Sequence, residues 1–288
     1  MESASTSLSF LERRAISRKA QKYYQDELDG LQVQLDRIIQ PKVTLLDLAK
    51  DIDRVDLTLT DEFNRLFQGG HQSHKGDKII AAWMHRFPAY NKQGGKKIPK
   101  AWRALKGWRK LTPSRSRKGH GLPVWAGIAT VLAQQGHTVM GVFTLLLVSS
   151  YARPNQLIGM RKSSLTRPLA TVLPHWALLL NPEEHKARSK VGDKDISIVL
   201  DSPYLQSWIE PILNVLKKGE PDDRLWTFDY SQYSKEFKKA AALLGVDLVP
   251  YQARHSGPAI DRAHKLRSQE EVQKRGQWAT FKSTQRYE

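Results

Sequence analysis

Nine consecutive residues, Met140 to Val148, read MGVFTLLLV and carry no charge. A membrane span needs ~20 apolar residues, so this run is far too short to cross a bilayer. It predicts a buried helix, which the rest of the chain must enclose. The flanking sequence is punctuated for further helices. In residues 17–40, Leu28, Leu31, Leu35 and Ile38 fall on one helical stripe that Pro41 ends. Thr44 opens the stretch LLDLAKDIDRV, Asp61 is placed to N-cap EFNRLFQ before Gly69 and Gly70, and DKIIAAWMHRF is stopped by Pro88. From Leu122 the pattern is helical again, through VWAGIATVLAQQ, a stop at Gly136, and the apolar run itself. TVLPHWALLLNP and DISIVLDSP predict two short strands around a charged turn, EEHKARSKVGDK. Helices return after Pro203 in YLQSWIEPILNVLKKG, SQYSKEFKKAAALLG and SGPAIDRAHKL.

Between residues 91 and 123 the pattern breaks up at Gly94, Gly95, Pro99, Pro113 and Gly119, and TPSRSRKGHG predicts an interdomain linker. The expected organisation is a helical domain over 1–114 and a second domain over 115–288. The fold class is mainly α with a small antiparallel sheet.

Charge narrows the function. Residues 78–182 hold 17 of the 46 Lys and Arg residues and no carboxylate, while the rest of the chain sets 29 basic residues against 29 acidic ones. The whole net charge of +17 therefore comes from one window. A solvated surface balances its charges; a face that binds a polyanion does not. Lys96, Lys97, Lys100, Arg103, Lys106, Arg109 and Lys110 are the expected phosphate contacts, interleaved with Trp102 and Trp108. The competing reading is a solvated helix face. The chain has no cysteine, which excludes disulfides, thiol catalysis and cysteine-zinc sites and fits a reducing compartment. MESASTSLSFLERR lacks the apolar segment of a signal peptide. No P-loop, dinucleotide-binding or nucleophile-elbow pattern is present. HQSH at 71–74 has no partner ligands at zinc spacing nearby and reads as a polar loop. No acidic pair falls in the basic window, which argues against a two-metal nuclease.

Basic residues at separated points remain, with a tyrosine one residue before the end. Arg153 lies in SYARPNQL, Lys186 in EEHKARSK between the two strands, Arg254 and His255 in PYQARHSG, Trp278 in RGQW and Tyr287 in STQRYE. Singly each is ordinary: a lone arginine is usually a surface residue and a lone tryptophan usually core. As an ordered set over residues 120–288 they resemble the tyrosine recombinases, or phage-type integrases. YARPNQL is similar to the family's first-arginine segment, G-L-R-x-x-E-L. YQARH is similar to its H-x-x-R-H, RGQW to its His-or-Trp position, and STQRY to its terminal T-x-x-Y. Two residues depart from the pattern: Gln156 replaces the usual acid, and Tyr251 replaces the first histidine.

The resemblance implies a helical DNA-binding domain followed by a catalytic domain that cuts and rejoins DNA through a 3′-phosphotyrosine. Tyr287 would be the nucleophile, and Arg153 and Arg254 the phosphate clamp. Lys186, or Lys190 in the same turn, would be the general acid. His255 and Tyr251 would bond the phosphate or handle protons, and Trp278 would shape the pocket. It implies no metal and no cofactor, double-stranded DNA as partner, self-association into dimers or tetramers on DNA, no membrane, a location in nucleus or nucleoid, and an origin in a mobile element. Family members continue past the tyrosine with a helix that docks on a neighbouring protomer, so a truncated end is expected here. Two alternatives stay open: a type IB topoisomerase-like relaxase, and a DNA-binding protein whose site has decayed.

Overall fold

The computed structural model of the chain describes residues 9–38, 42–113, 119–169, 172–182 and 195–287. It divides into two compact units, Met1–Ser116 and Arg117–Glu288. Among the described residues no helix is long and apolar enough to cross a membrane.

The first unit is helical: α1 (Phe10–Arg14), α2 (Arg18–Ile38), α3 (Leu45–Leu48), α4 (Ile52–Gln68), α5 (His74–Arg86) and α6 (Pro99–Leu111). The α2 stripe buries Leu28, Leu31 and Leu35 as the spacing predicts, but Ile38 at its last turn is exposed. Two expectations fail here. Asp61 caps nothing and sits exposed in the middle of α4. Val55, Leu59, Phe63 and Leu66 keep an unbroken helical period across it, so burial of that stripe outweighs the capping preference of one outward aspartate. The cap is Asp51, whose carboxylate accepts from the Arg54 N–H at 3.1 Å.

The second correction is α6, in the stretch expected to be broken. Pro99 opens the helix rather than breaking one, because a first-turn proline gives up an N–H that has no helical partner. Two other N–H groups of that turn, Lys100 and Ala101, donate to the buried carboxylate of Asp56 on α4 at 2.9 and 2.7 Å. The cap comes from 44 residues upstream. Ala101, Leu105 and Trp108 face the core.

The second unit holds α7 (Leu122–Gln134), α8 (Thr138–Ser150), α9 (Pro154–Ile158), β1 (Leu165–Thr166), β2 (Ala177–Leu180), β3 (Ile196–Val199), α10 (Pro203–Leu216), α11 (Tyr230–Leu243), α12 (Ala253–Ala263) and α13 (Gln269–Arg275). The sheet is antiparallel in the order β1-β2-β3, with Leu165 opposite Leu178 and Leu178 opposite Ile198. β1 is a third strand beyond the two expected, and two residues are too few to show alternation in sequence.

The apolar run is the centre of this unit, since every residue of α8 from Met140 to Ser150 is buried. Its polar Thr144 is satisfied internally, bonding the Met140 carbonyl and the Tyr233 hydroxyl. Glycines let two neighbours approach its backbone closely. A Cβ at Gly141 would lie 2.6 Å from the Ala129 carbonyl oxygen of α7, and one at Gly257 of α12 would lie 2.1 Å from the Val148 carbonyl oxygen. Neither obstacle is a movable side chain. Gly257→Ala is therefore expected to destabilise the protein by about 3 kcal/mol, read as a lower urea midpoint at unchanged m-value. A midpoint equal to wild type would show that the helices can separate without cost.

Candidate active site

The site is built where α8 ends. Ser150 is the last helical residue, and Tyr151 then takes a left-handed conformation at φ 55°. That turn leads through Ala152 into Arg153, which precedes α9. The Gln156 Oε1 accepts from the Arg153 N–H at 2.8 Å, so the residue that stands where the resemblance expects an acid caps α9.

Arg254 lies inside the first turn of α12, not before it as the sequence suggested. It is 3% exposed, yet carries a charge. Its Nη1 donates to the Tyr151 carbonyl and its Nη2 to the Gly276 carbonyl, each at 2.5 Å. The Trp278 ring covers the guanidinium at 4.7 Å. Burial, and then the like charge of Arg153, push Arg254 down to about 10, while the phenols of Tyr251 and Tyr287 act the other way. Arg254 therefore remains a cation at neutral pH, with Arg153, Tyr251 and Tyr287 all close enough to act on it.

Tyr287 sits in a one-turn 3-10 helix, Gln285–Tyr287. Just before it, Thr284 is buried and its hydroxyl donates to the Phe281 carbonyl at 2.7 Å. The Tyr287 ring packs with Tyr151, Val272, Ala259 and Trp278 and is 8% exposed. Its hydroxyl is not lost in that packing; it lies 2.9 Å from Nδ1 of His255. Tyr251 meets His255 edge-on at 5.8 Å between centroids, and Trp278 lies 5.5 Å from Tyr287.

Six residues singled out in the sequence thus gather at one place: Arg153, Tyr251, Arg254, His255, Trp278 and Tyr287. Lys186 and Lys190 lie outside the described residues. Two guanidinium-bearing residues beside a phenol suit an oxyanion, and the imidazole on the phenolic oxygen can exchange its proton.

A polar frame beneath the site was not anticipated. Asp261, buried two turns beyond Arg254 along α12, accepts from the Tyr151 hydroxyl and from Arg267 Nε at 2.7 Å. Arg267 also binds Asp201 at 2.5 Å, and Arg275 donates to the Ser149 and Val199 carbonyls at 2.7 and 2.8 Å. Burial, followed by the Asp261 charge, drives the Tyr151 hydroxyl far above the ordinary phenol range, so it stays a donor. One clue was available: Asp261 follows Arg254 by seven residues, on the same helical face.

The expected phosphate contacts divide into two groups. Lys100, Arg103, Lys106 and Lys110 stand exposed on α6 with Trp102 beside them. The others have intramolecular partners. Lys96 Nζ donates to the Ala49 carbonyl at 2.5 Å, Lys97 Nζ to the Gly94 carbonyl at 2.7 Å, and Arg109 pairs with Asp77. Asp77 stands just before the acid-free window in sequence, yet the fold pairs it with an arginine well inside that window.

No protein-family model matches the chain, and no curated protein matches it in sequence. Solved structures do match. A lambda integrase dimer bound to a COC′ core site has a TM-score of 0.64 at 15% identity, covering 96% of this chain and 90% of that one. The XerH site-specific recombinase bound to palindromic difH substrate, in a post-cleavage complex, gives 0.63 at 14% identity, with 92% and 75% covered. The Tn1549 transposon integrase in complex with transposon right end DNA gives 0.55 at 11% identity, with 93% and 94% covered. The chain has the tyrosine recombinase fold: mainly helical, with a small three-stranded antiparallel sheet.

Proposed function

We propose that this protein is a site-specific tyrosine recombinase that cuts and rejoins double-stranded DNA. The observation carrying the proposal is the contact between the Tyr287 hydroxyl and His255, beside Arg254 and Arg153. Tyr287 Oη attacks the scissile phosphorus, a P–Oη bond forms, and the bond from phosphorus to the 5′-oxygen breaks. The phenolic proton passes to Nδ1 of His255, which must be the unprotonated ring nitrogen. The DNA keeps a 3′-phosphotyrosine, which stores the bond energy, and attack by a free 5′-hydroxyl reverses the step. Arg153 and Arg254 neutralise the non-bridging oxygens, each preorganised donor contributing about 3 kcal/mol to the transition state. Lys186 or Lys190 supplies the proton that the departing 5′-oxygen needs. Tyr251, in edge contact with His255, shares in bonding the phosphate. Gln156 keeps Arg153 in place by capping α9, which speaks against a decayed site.

In this reading the first unit is the DNA-binding domain, and the exposed face of α6 lies along phosphates. Two or four copies assemble on DNA during strand exchange, as for an enzyme of a mobile element working in a nucleus or nucleoid. Removing one phosphate contact with Lys106→Ala should weaken binding to every sequence alike. It should also lower the slope of log K against log salt by about 0.9. An unchanged slope would remove α6 from the interface.

The reading as a whole is tested with a nicked duplex whose cleavage releases a short 5′-hydroxyl fragment and so prevents religation. The expected result is a protein–DNA adduct that survives detergent. Tight, salt-dependent binding with no adduct on any such duplex would leave a DNA-binding protein only. Relaxation of random plasmid by monomer would point to a topoisomerase instead.

A further inference from the structure

The segment RGQW contains two costly features side by side. Gln277 sits at φ 55°, in the left-handed region that disfavours side chains larger than glycine or asparagine. Its amide Nε2 is buried and has no hydrogen-bond partner among the described residues. Strain and an unpaired buried donor in one residue persist only where the surroundings enforce them, and such residues concentrate at functional sites.

The surroundings explain what Gln277 does. Its Oε1 accepts from Nε2 of Gln156 at 3.2 Å, across 121 residues of sequence. The other end of the Gln156 amide holds the Arg153 N–H. On either side of Gln277 are the two groups that grip Arg254: the Gly276 carbonyl, bonded to Nη2, and the Trp278 ring, lying over the guanidinium. The turn is tight enough that a Cβ on Gly276 would fall 1.8 Å from that ring. One chain of contacts therefore runs from the main chain of Arg153 through Gln156 and Gln277 to the cradle of Arg254.

We propose that Gln277 is a positioning residue that, through Gln156, sets the spacing between the Arg153 and Arg254 guanidiniums. It rests on the recombinase reading, because that spacing matters only if both arginines hold one phosphate. An amide pair suits the task. It joins the two positions by a hydrogen bond without placing a negative charge beside the cations, which keep their full charge for the anion.

Gln277→Gly separates backbone from side chain. Glycine is at ease at φ 55°, so the melting temperature should hold or rise by about 2 °C. DNA affinity should be unchanged. Adduct formation on the nicked duplex should nevertheless slow by about 10- to 100-fold, the loss that follows from small misplacement of catalytic groups. Cleavage at the wild-type rate would overturn the proposal. If the glycine variant loses stability, Gln156→Ala, Gln277→Ala and their combination decide. A double variant no slower than the slower single one supports a shared link, and multiplying effects overturn it. These results are ratios to wild type, so they stand apart from the recombinase reading, which wild type forming no adduct would overturn together with this one.

Discussion

Tyr287→Phe should form no covalent DNA complex, with cleavage reduced at least about 10⁴-fold, the scale seen when a nucleophile is removed. The substitution deletes one oxygen and keeps the ring. That ring makes the packing contacts with Tyr151, Val272 and Trp278, so the site should keep its shape. It removes the bond to His255 Nδ1, a stability cost of about 1 kcal/mol. Three measurements on one preparation separate the effects: adduct yield on the nicked duplex, DNA affinity and melting temperature. Only the first should change greatly. Adduct formation within tenfold of wild type would mean that another hydroxyl attacks, and Tyr287 would lose its role.

Arg254→Lys should lower the cleavage rate by about 10³-fold, near the upper end for removing one preorganised donor, and should also destabilise the fold. Lysine preserves charge but not shape. The guanidinium divides its N–H groups between the Tyr151 and Gly276 carbonyls, 22 residues of sequence separating Arg254 from the second. A single ammonium cannot span both, nor match two phosphate oxygens in a fork. One buried carbonyl left without a donor costs about 1–3 kcal/mol. Stability and rate should therefore fall together, unlike in Tyr287→Phe. A lysine variant that melts like wild type and cleaves within tenfold of it would show that charge alone is required. Titration does not confuse the comparison near neutrality, since Arg254, even pushed down to about 10, is fully charged there.

The family departures at Gln156 and Tyr251 take on physical meaning only in three dimensions. In sequence, a glutamine where an acid is usual reads as a loss. In the fold its Oε1 accepts from the Arg153 N–H, as a carboxylate oxygen would, and its Nε2 donates to Gln277, which a carboxylate could not do. Tyr251 stands edge-on to His255, so the imidazole in contact with the Tyr287 hydroxyl comes from His255 and not from the position that Tyr251 fills.

Local patterns were legible without the fold. The 3.6-residue period marked α2, because a helix that packs on a core by one side repeats its apolar residues there, and the unbroken apolar run marked α8, which is buried on all sides. The glycine stops and the ordered Arg, Arg-His, Trp and Tyr positions were equally readable, since each depends on residue type and spacing along the chain. What joins distant segments was not. The Asp56 carboxylate that starts α6, the Gly276 carbonyl that holds Arg254 and the Asp77 partner of Arg109 all arrive from elsewhere in the sequence. No local period encodes them, because a hydrogen bond depends on where two atoms lie in space and not on how many residues separate them. Sequence alone therefore named the candidate groups, and the tertiary structure decided which of them meet.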